Sequence, residues 1–544
     1  MNSDTLGGSA GVTSARETAT APRVADTSRR FEAIVLTLYA VLISIVEWLH
    51  EPWKDETQSW RLAIDSDGLA ALVRNSRYEG HPLLFHVLMQ AVGHLSRSWW
   101  AAAVLHVAIA CVAAWLVLRY APFTRLQKVL LVFGYWSVYE YSVVVRPYGL
   151  GMMLAFAACA AWCARPRRIG WAVVALALTA NTTVMGTLLA MTLALAFAID
   201  WVWPDGGAPP PARRTVVRTG LLAGVALLAV LWLAAVQIAP PADAAYKGEL
   251  TALSGISHWD IGRIPTVELR ALFPFTAIQD GTVLWSRWFF APVTTRDLAL
   301  LLVASAIMLT IGLLIAARRR VALVVYLVGT IGYLLFFAFF FSGSAHHHGY
   351  LFLVWVIAAW LAWAGPASDR PRVLRALSDA TEGMVRRLFT LSLVLPVLAG
   401  IEIVAADVLT TFSDARHTAA VIRQQGLADV PIIGLVRSHA QSVSAFLDRS
   451  VLYPVEGKTL PFVEWGQGAG YRRSVVAVDS ASAALLTRDC QVLVITAAGQ
   501  EVSESTARRG HVIYTTPKKP MSGDRFRVWL LSAPPSPRCA HPRS

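Results

Sequence analysis

Two adjacent acidic residues, Asp55 and Glu56, come directly after the first long apolar stretch of the sequence. Trp48, Trp53 and Trp60 surround the pair, and tryptophan favours the membrane–water interface. A carboxylate at such a place could act as a general base that deprotonates an acceptor hydroxyl. The alternative is that both acids are solvated loop residues or helix N-caps.

Basic side chains near other apolar stretches could bind a phosphate group. Lys54 directly precedes the two acids, and Arg146 stands beside a proline that restricts the turn, between Glu140 and Tyr148. A guanidinium binds phosphate oxygens with two parallel hydrogen bonds, and Glu140 could tune its charge. The alternative is an arginine whose charged end extends from an apolar surface to the interface.

Three consecutive histidines, His346, His347 and His348, precede another apolar stretch. One or two of them could hydrogen-bond a phosphate, or join Asp55 and Glu56 around a divalent cation such as Mg²⁺ or Mn²⁺. Consecutive helical residues point in different directions, so the run by itself is a poor tridentate metal site. The alternative is a polar turn at the interface, and the metal requirement stays open.

The composition places these residues in a membrane protein. Of 544 residues, 56% are hydrophobic and 15% are charged, whereas soluble proteins carry about a quarter charged residues. A soluble enzyme and a disordered chain are therefore excluded. The 48 Lys and Arg, against 35 Asp and Glu, lie between apolar stretches rather than in a basic stripe, so we expect membrane lipids and no nucleic acid as partners.

Twelve apolar stretches are candidates for membrane helices, and none alternates in the manner of a barrel strand. They lie at 33–49, 82–96, 99–118, 129–145, 149–164, 170–184, 185–203, 216–238, 297–316, 321–341, 349–364 and 388–410. Because twelve crossings would put some arginine clusters outside, we expect 82–118 to cross only once. The sequence therefore predicts eleven crossings.

The arginine clusters also predict the orientation, since Lys and Arg concentrate in cytoplasmic loops. The tail 1–30, expected to be disordered, is then cytoplasmic, and the loops 50–81 and 239–296 of a transmembrane domain over 31–410 lie outside. Tryptophan, acids and arginine in 239–296 could close over a substrate, or that loop could form a pair of interfacial helices. The expected location is a bacterial inner membrane.

The sequence pattern of the remaining residues, 411–544, predicts a small extracytoplasmic α/β domain. Helix-like stretches such as Asp414–Gln425 alternate with β-prone runs at 430–436, 492–496, 511–515 and 526–531. Five cysteines exclude a disulfide scaffold, but Cys490 and Cys539 both fall in this domain, where a bridge could form. The other three lie in apolar stretches and should pack there.

The segment around Asp55 resembles the GT-C superfamily of membrane glycosyltransferases. The matching features are a first membrane helix, the pair Asp55 and Glu56, an amphipathic segment and Gly80-His81-Pro82 before the next helix. About eleven helices and an extracytoplasmic C-terminal domain also match. The specific motif is confined to about 50–85, and Tyr139-Glu140-Tyr141-Ser142 stands where better characterised families carry a second aspartate motif.

The resemblance implies a polytopic α-helical membrane protein that transfers a hexosyl or pentosyl group from a polyprenyl-phosphate donor. The superfamily includes protein O-mannosyltransferases and the aminoarabinose transferases of lipid A. In that superfamily an acid of the first outer loop serves as the base, which implies Asp55 or Glu56 here, and we favour Asp55. The substrate and its phosphate would be bound by Lys54, His81, Glu140, Arg146, Tyr148 and one of His346, His347 and His348. The acceptor, a glycan, lipid or protein, stays open.

Two other classes of function compete with this hypothesis. A transporter or flippase would carry ionisable residues within its spans, and the apolar stretches are nearly free of charge. A non-catalytic scaffold would bind glycan through its C-terminal domain. A cavity at the outer ends of the helices that gathers Asp55, Arg146 and the histidines would favour the enzyme.

Overall fold

A computed structural model describes most of the chain, and we number its helices and strands in chain order. The described residues are 29–204, 212–239, 241, 242, 244, 263–279, 282–365, 372–465, 474–534 and 539. The predicted tail 1–30 lies outside them except for its last two residues, and so does much of the loop 239–296.

The predicted polytopic helical fold is confirmed. Seven described helices are long and apolar enough to cross a membrane: α1 (Arg29–Leu49), α5 (Trp99–Tyr120), α9 (Val184–Val202), α10 (Arg213–Ile238), α12 (Thr295–Ala316), α13 (Arg320–Phe339) and α15 (Arg372–Leu409). Three shorter apolar helices accompany them: α4 (Leu84–Gly93), α7 (Tyr148–Cys163) and α8 (Ile169–Ala180). Helix α14 (Ala345–Trp363) is buried along nearly its whole length. The number and direction of crossings stay a prediction.

The predicted stretch 129–145 is not one continuous helix. Helix α6 (Arg125–Val132) is followed by a π-helical turn at Trp136–Glu140 and then by irregular backbone up to α7. Irregular backbone is tolerated at membrane depth where protein surrounds it, and Val143, Val144 and Val145 are at most 1% exposed. The backbone N–H of Val145 is thus available to a side chain from elsewhere.

Short elements follow the first membrane helix on the side of the predicted outer loops. They are α2 (Lys54–Ile64), α3 (Gly68–Asn75) and a 3₁₀ turn at Ser76–Tyr78. Within 239–296, the described part forms one helix, α11 (Arg263–Leu272), and an antiparallel hairpin of β1 (Thr276–Gln279) and β2 (Thr282–Trp288). The expected pair of interfacial helices is therefore replaced in part by a hairpin.

A buried group of polar side chains fixes α2 on the bundle. His50, which follows α1, lies between two carboxylates: its Nδ1 is 2.7 Å from Asp407 Oδ2 and its Nε2 is 3.2 Å from Glu56 Oε2. The Tyr139 hydroxyl also donates to Asp407, at 3.0 Å. Burial lowers the pKa of His50, but the two carboxylates outweigh burial and raise it well above its usual value. The protonated imidazole of His50 therefore holds the carboxylates of Glu56 and Asp407 together.

The C-terminal domain contains the predicted sheet. Its six strands have the order β5-β4-β3-β6-β8-β7, in which β4, β3 and β6 are parallel and the other pairs are antiparallel. The strands are β3 (Ile432–Gly434), β4 (Val451–Tyr453), β5 (Lys458–Leu460), β6 (Gln491–Ala497), β7 (Gly510–Thr515) and β8 (Phe526–Ser532). The four strands expected from the sequence are present, and β4 and β5 are additional.

Four helices in the described part of the domain accompany this sheet, and a disulfide closes the domain. The helices are α16 (Ala415–Gln424), α17 (Arg437–Leu447), α18 (Val475–Asp489) and α19 (Glu504–Arg509). Cys490 and Cys539, for which the sequence left a bridge open, are joined by a disulfide with a Cα–Cα distance of 5.6 Å. Helix α17 packs on α2, where Thr57 Oγ1 donates to Gln441 at 3.4 Å. The C-terminal domain therefore rests directly on the helix that carries the two acids.

Replacing Glu56 by alanine should lower the free energy of unfolding by about 3–5 kcal/mol, because His50 and two backbone N–H groups would lose a buried acceptor. Thermal unfolding in detergent measures the loss. Asp67→Ala is the matched control: this exposed acid makes no capping bond, so its effect should stay within about 0.5 kcal/mol. Equal stability of the two variants would show that Glu56 does not anchor α2.

Candidate functional site

A cavity of about 700 Å³ lies where α2, the start of α7, the start of α9 and the turn between α13 and α14 meet. Six of the residues predicted from the sequence line it together: Asp55, His81, Arg146, Tyr148, His346 and His347. They come from four separate segments of the chain, so only the tertiary fold brings them to one place. This is the gathering of groups that favours the enzyme among the competing hypotheses.

The two adjacent acids have different environments. Asp55 lines the cavity, and its side chain is 35% exposed. Glu56 is fully buried on the other side of α2, where Oε1 accepts from the Val145 backbone N–H at 2.6 Å and Oε2 accepts from the Trp53 N–H at 3.0 Å. Consecutive residues of a helix point in different directions, so the pair cannot act as one site. Of the two, only Asp55 is placed to reach a ligand in the cavity.

Arg146 forms an ion pair with Asp55 across the cavity wall. Its Nη1 is 2.9 Å from Asp55 Oδ2, and the guanidinium also lies 5.9 Å from the centre of the Tyr148 ring. The Arg146 Nε is buried and has no hydrogen-bond partner among the residues that the structure describes. A guanidinium has five N–H groups, so the ion pair leaves donors for an anion in the cavity.

Two of the three histidines point into the cavity, on the first turn of α14. His347 Nδ1 accepts from the Ser344 backbone N–H at 3.0 Å, which puts its proton on Nε2, 2.9 Å from the Tyr148 hydroxyl. Nε2 then donates to that hydroxyl, so the hydroxyl keeps its own proton to donate elsewhere. His346 Nε2 lies 2.9 Å from Ser344 Oγ, and its ring centre lies 4.8 Å from that of Tyr148.

His81 and Glu79 form a further part of the wall. Burial, with smaller contributions from Arg146 and His86, lowers the pKa of His81 to about 3, so its imidazole is neutral at physiological pH. Its Nδ1 is buried without a hydrogen-bond partner among the described residues. Burial also raises the pKa of Glu79 to about 7, although the Gln58 amide and Arg146 lower it. His81 can thus bind a phosphate by hydrogen bonding, but not as a cation.

Three residues predicted for phosphate binding do not line the cavity. Lys54 Nζ lies 3.5 Å from Asp524 of the C-terminal domain. Glu140 is buried behind His346, where it accepts from the Tyr135 hydroxyl at 2.8 Å and from Trp285 Nε1 at 2.9 Å. His348 is directed at the Ser342 carbonyl, 3.0 Å away. The sequence placed all three near the site, but their side chains point away from the cavity.

Other lining residues were missed by sequence reasoning, and the C-terminal domain supplies one of them. The Gln58 amide exchanges two hydrogen bonds with the Val463 backbone, each 2.9 Å, and donates to Glu79 at 2.8 Å. These hydrogen bonds, which we call the Gln58 clamp, fix the backbone at Val463. Trp465, two residues later, therefore lines the cavity. Glu79 stands two residues before His81, a signal that could have been used, whereas nothing in the sequence links Trp465 to the first outer loop.

Part of the cavity lining is apolar. It is formed by the end of α10, the start of α9 and the end of α13, with Ile238, Val184, Met185, Phe336, Phe340 and Phe341. Acidic and basic groups therefore line the same cavity as aliphatic and aromatic groups. Such a site fits a ligand with an anionic end and a hydrocarbon end.

A metal centre is not apparent in the described part of the chain. No group of three or more His, Cys, Asp or Glu side chains in these residues is arranged to hold a metal ion. His346 Nδ1 lies 3.5 Å from Glu140 Oε1, whereas Asp55 pairs with Arg146 instead. The described donors therefore do not form the divalent-cation site that was considered from the sequence.

Comparison with solved structures identifies the fold. The chain is similar to ArnT from Cupriavidus metallidurans bound to undecaprenyl phosphate, with a TM-score of 0.52 and 13% identity over 94% of this chain and 100% of that chain. The apo state of that protein gives a TM-score of 0.47 and 14% identity over 92% of this chain and 100% of that chain. No protein-family model and no curated protein matches the sequence. The chain therefore has an ArnT-like fold.

Proposed function

We propose that the protein transfers a sugar from a polyprenyl-phosphate donor to an acceptor hydroxyl at the outer face of the membrane, with Asp55 as the general base. The observation that carries the proposal is a single cavity lined by both charged and apolar groups. Asp55, Arg146, His81 and Tyr148 line it, and so do phenylalanines from the end of a membrane helix. The similar fold of ArnT, crystallised with undecaprenyl phosphate, supports this donor class.

The polar lining residues suit the phosphate of such a donor. Among the residues that the structure describes, Arg146 Nε–H and His81 Nδ1 have no hydrogen-bond partner, and the Tyr148 hydroxyl can donate because it accepts from His347. Buried polar groups without partners are rare in proteins, and a phosphate oxygen would satisfy them. The hydrocarbon chain of the donor would leave along Phe336, Phe340 and Phe341 toward the lipid.

One guanidinium can position both the base and the leaving group. Arg146 holds Asp55 through Nη1 and offers its Nε–H to the donor phosphate. In the reaction, the acceptor oxygen forms a bond to the anomeric carbon while Asp55 takes the hydroxyl proton. The bond from that carbon to the phosphate oxygen breaks, and polyprenyl phosphate leaves with the electron pair. Arg146 stabilises the charge that develops on it. Attack on the face opposite the leaving group inverts the configuration.

Replacing Asp55 by asparagine should lower kcat by about 10²- to 10⁴-fold, because the side chain keeps its shape but can no longer accept the proton. Transfer of radiolabelled sugar from a polyprenyl-phosphate donor measures the effect. Asp67→Asn, an exposed acid outside the cavity, is the matched control and should retain full activity. Full activity of the Asp55 variant would rule out its role as the base.

The Michaelis constant for the donor should rise as the pH passes through about 7, where Glu79 ionises. A carboxyl with this raised pKa is neutral below that pH and anionic above it, so it repels the donor phosphate only on the alkaline side. The Glu79→Gln variant should lose this rise, and its Michaelis constant should stay at the low value across the pH range. Glu51→Gln is the control, because burial also raises the pKa of Glu51 to about 7 but this residue does not line the cavity. Persistence of the rise in the Glu79 variant would contradict the assignment.

Replacing Trp465 by alanine should weaken binding of the sugar-bearing donor while leaving binding of sugar-free polyprenyl phosphate unchanged. Trp465 lines the cavity together with Gln58 and Glu79, and an indole ring there can stack on the apolar face of a sugar ring. Trp465→Phe keeps an aromatic face and should restore much of the binding. Equal losses for both ligands would mean that Trp465 only maintains the shape of the cavity.

A further inference from the structure

A second cavity, of about 450 Å³, lies between α8, α9 and α10. It lies near the start of α8. The end of α8 leads to Thr183, which lines the cavity that contains Asp55 and Arg146. The two cavities therefore belong to opposite ends of the same helices. All of its lining side chains except that of Thr219 are apolar or glycine, and they include Trp162, Phe197 and Trp201.

No described part of the chain fills this space, although the sequence of α10 is suited to close helix packing. Gly220 and Gly224 are one turn apart and line the cavity. Such a pair commonly lets two membrane helices approach closely. Here a methyl group added to either glycine would meet no atom within 4 Å. The small residues therefore border a space open to the lipid, and hydrocarbon is the material at that depth that fits it.

Two arginines lie next to lining residues of this cavity in the sequence. Ile169 lines both this cavity and a shallow depression that is bordered by Arg168, and Arg218 lies between two lining residues of α10. Arg168 and Arg218 are exposed and form no ion pair with a described residue. The nearby acid Asp200 is buried and already neutralised, because Arg167 lies 2.7 Å and Arg319 lies 3.8 Å from its carboxylate oxygens.

We propose that this cavity binds one acyl chain of an anionic phospholipid whose headgroup contacts Arg168 and Arg218. Lipid chains are as apolar as the cavity wall, so the chain contributes shape but little selectivity. Selectivity comes from the headgroup, since basic pockets between membrane helices attract anionic lipids. Charge complementarity therefore identifies a phospholipid with net negative charge rather than a zwitterionic one. The site is separate from the donor cavity and does not depend on the proposed reaction.

Native mass spectrometry of the full chain with phosphatidylglycerol and phosphatidylcholine of identical chains tests the site. We expect the protein to retain phosphatidylglycerol more tightly than phosphatidylcholine. In the variant Arg168→Gln/Arg218→Gln, the retention of phosphatidylglycerol should fall by roughly an order of magnitude. Arg30→Gln/Arg387→Gln removes two exposed arginines elsewhere and is the charge-matched control. Gly224→Leu fills the cavity without changing charge and should also release the lipid.

The outcomes separate a built site from general attraction to anionic lipid. The proposal is supported if phosphatidylglycerol retention falls in the Arg168 and Arg218 variant and in Gly224→Leu while the control variant keeps it. Equal retention of the two lipids by the unaltered protein would overturn it, and so would an equal effect of the control variant. Retention by Gly224→Leu would show that the chain does not occupy this cavity, which also overturns the proposal.

Discussion

The buried carboxylate of Glu56 connects the first membrane helix, the first outer helix and the irregular segment before α7. It accepts hydrogen bonds from the backbone N–H groups of Trp53 and Val145 and lies beside the His50 imidazolium. Because Asp55 and Arg146 are the sequence neighbours of Glu56 and Val145, this contact sets the two groups opposite each other. A charge buried in this way is stabilised only when its partners are in place. The geometry of the candidate site therefore depends on a residue that does not face the cavity.

The same contact explains why the chain between α6 and α7 is irregular. A continuous helix would have used the Val145 N–H in its own backbone ladder. The π-helical turn at Trp136–Glu140 ends that ladder and leaves the N–H for Glu56. The turn also directs Tyr139 toward Asp407, which is the second carboxylate on His50. Local irregularity and the placement of the proposed base are thus two consequences of one arrangement.

The cavity combines contributions from the membrane bundle and from the C-terminal domain. The bundle supplies both the apolar lining residues and Arg146, while the hydrogen bonds between Gln58 and Val463 bring Trp465 to the cavity. In the proposed reaction this division separates two tasks. The bundle holds the lipid phosphate where its hydrocarbon can remain in the membrane, and the C-terminal domain contributes to recognition of the sugar.

Local sequence patterns predicted the polytopic helical fold, nearly all the apolar helices and four strands of the C-terminal sheet, and they pointed to the region of the candidate site. These features follow from local composition, periodicity and the resemblance around residues 50–85, all of which are visible in short windows. Tertiary structure decided which acid faces the cavity, since a helix turns adjacent residues to different sides. It also directed Lys54, Glu140 and His348 away from the cavity and brought Trp465 to it, because contacts between distant segments are not encoded in any local pattern.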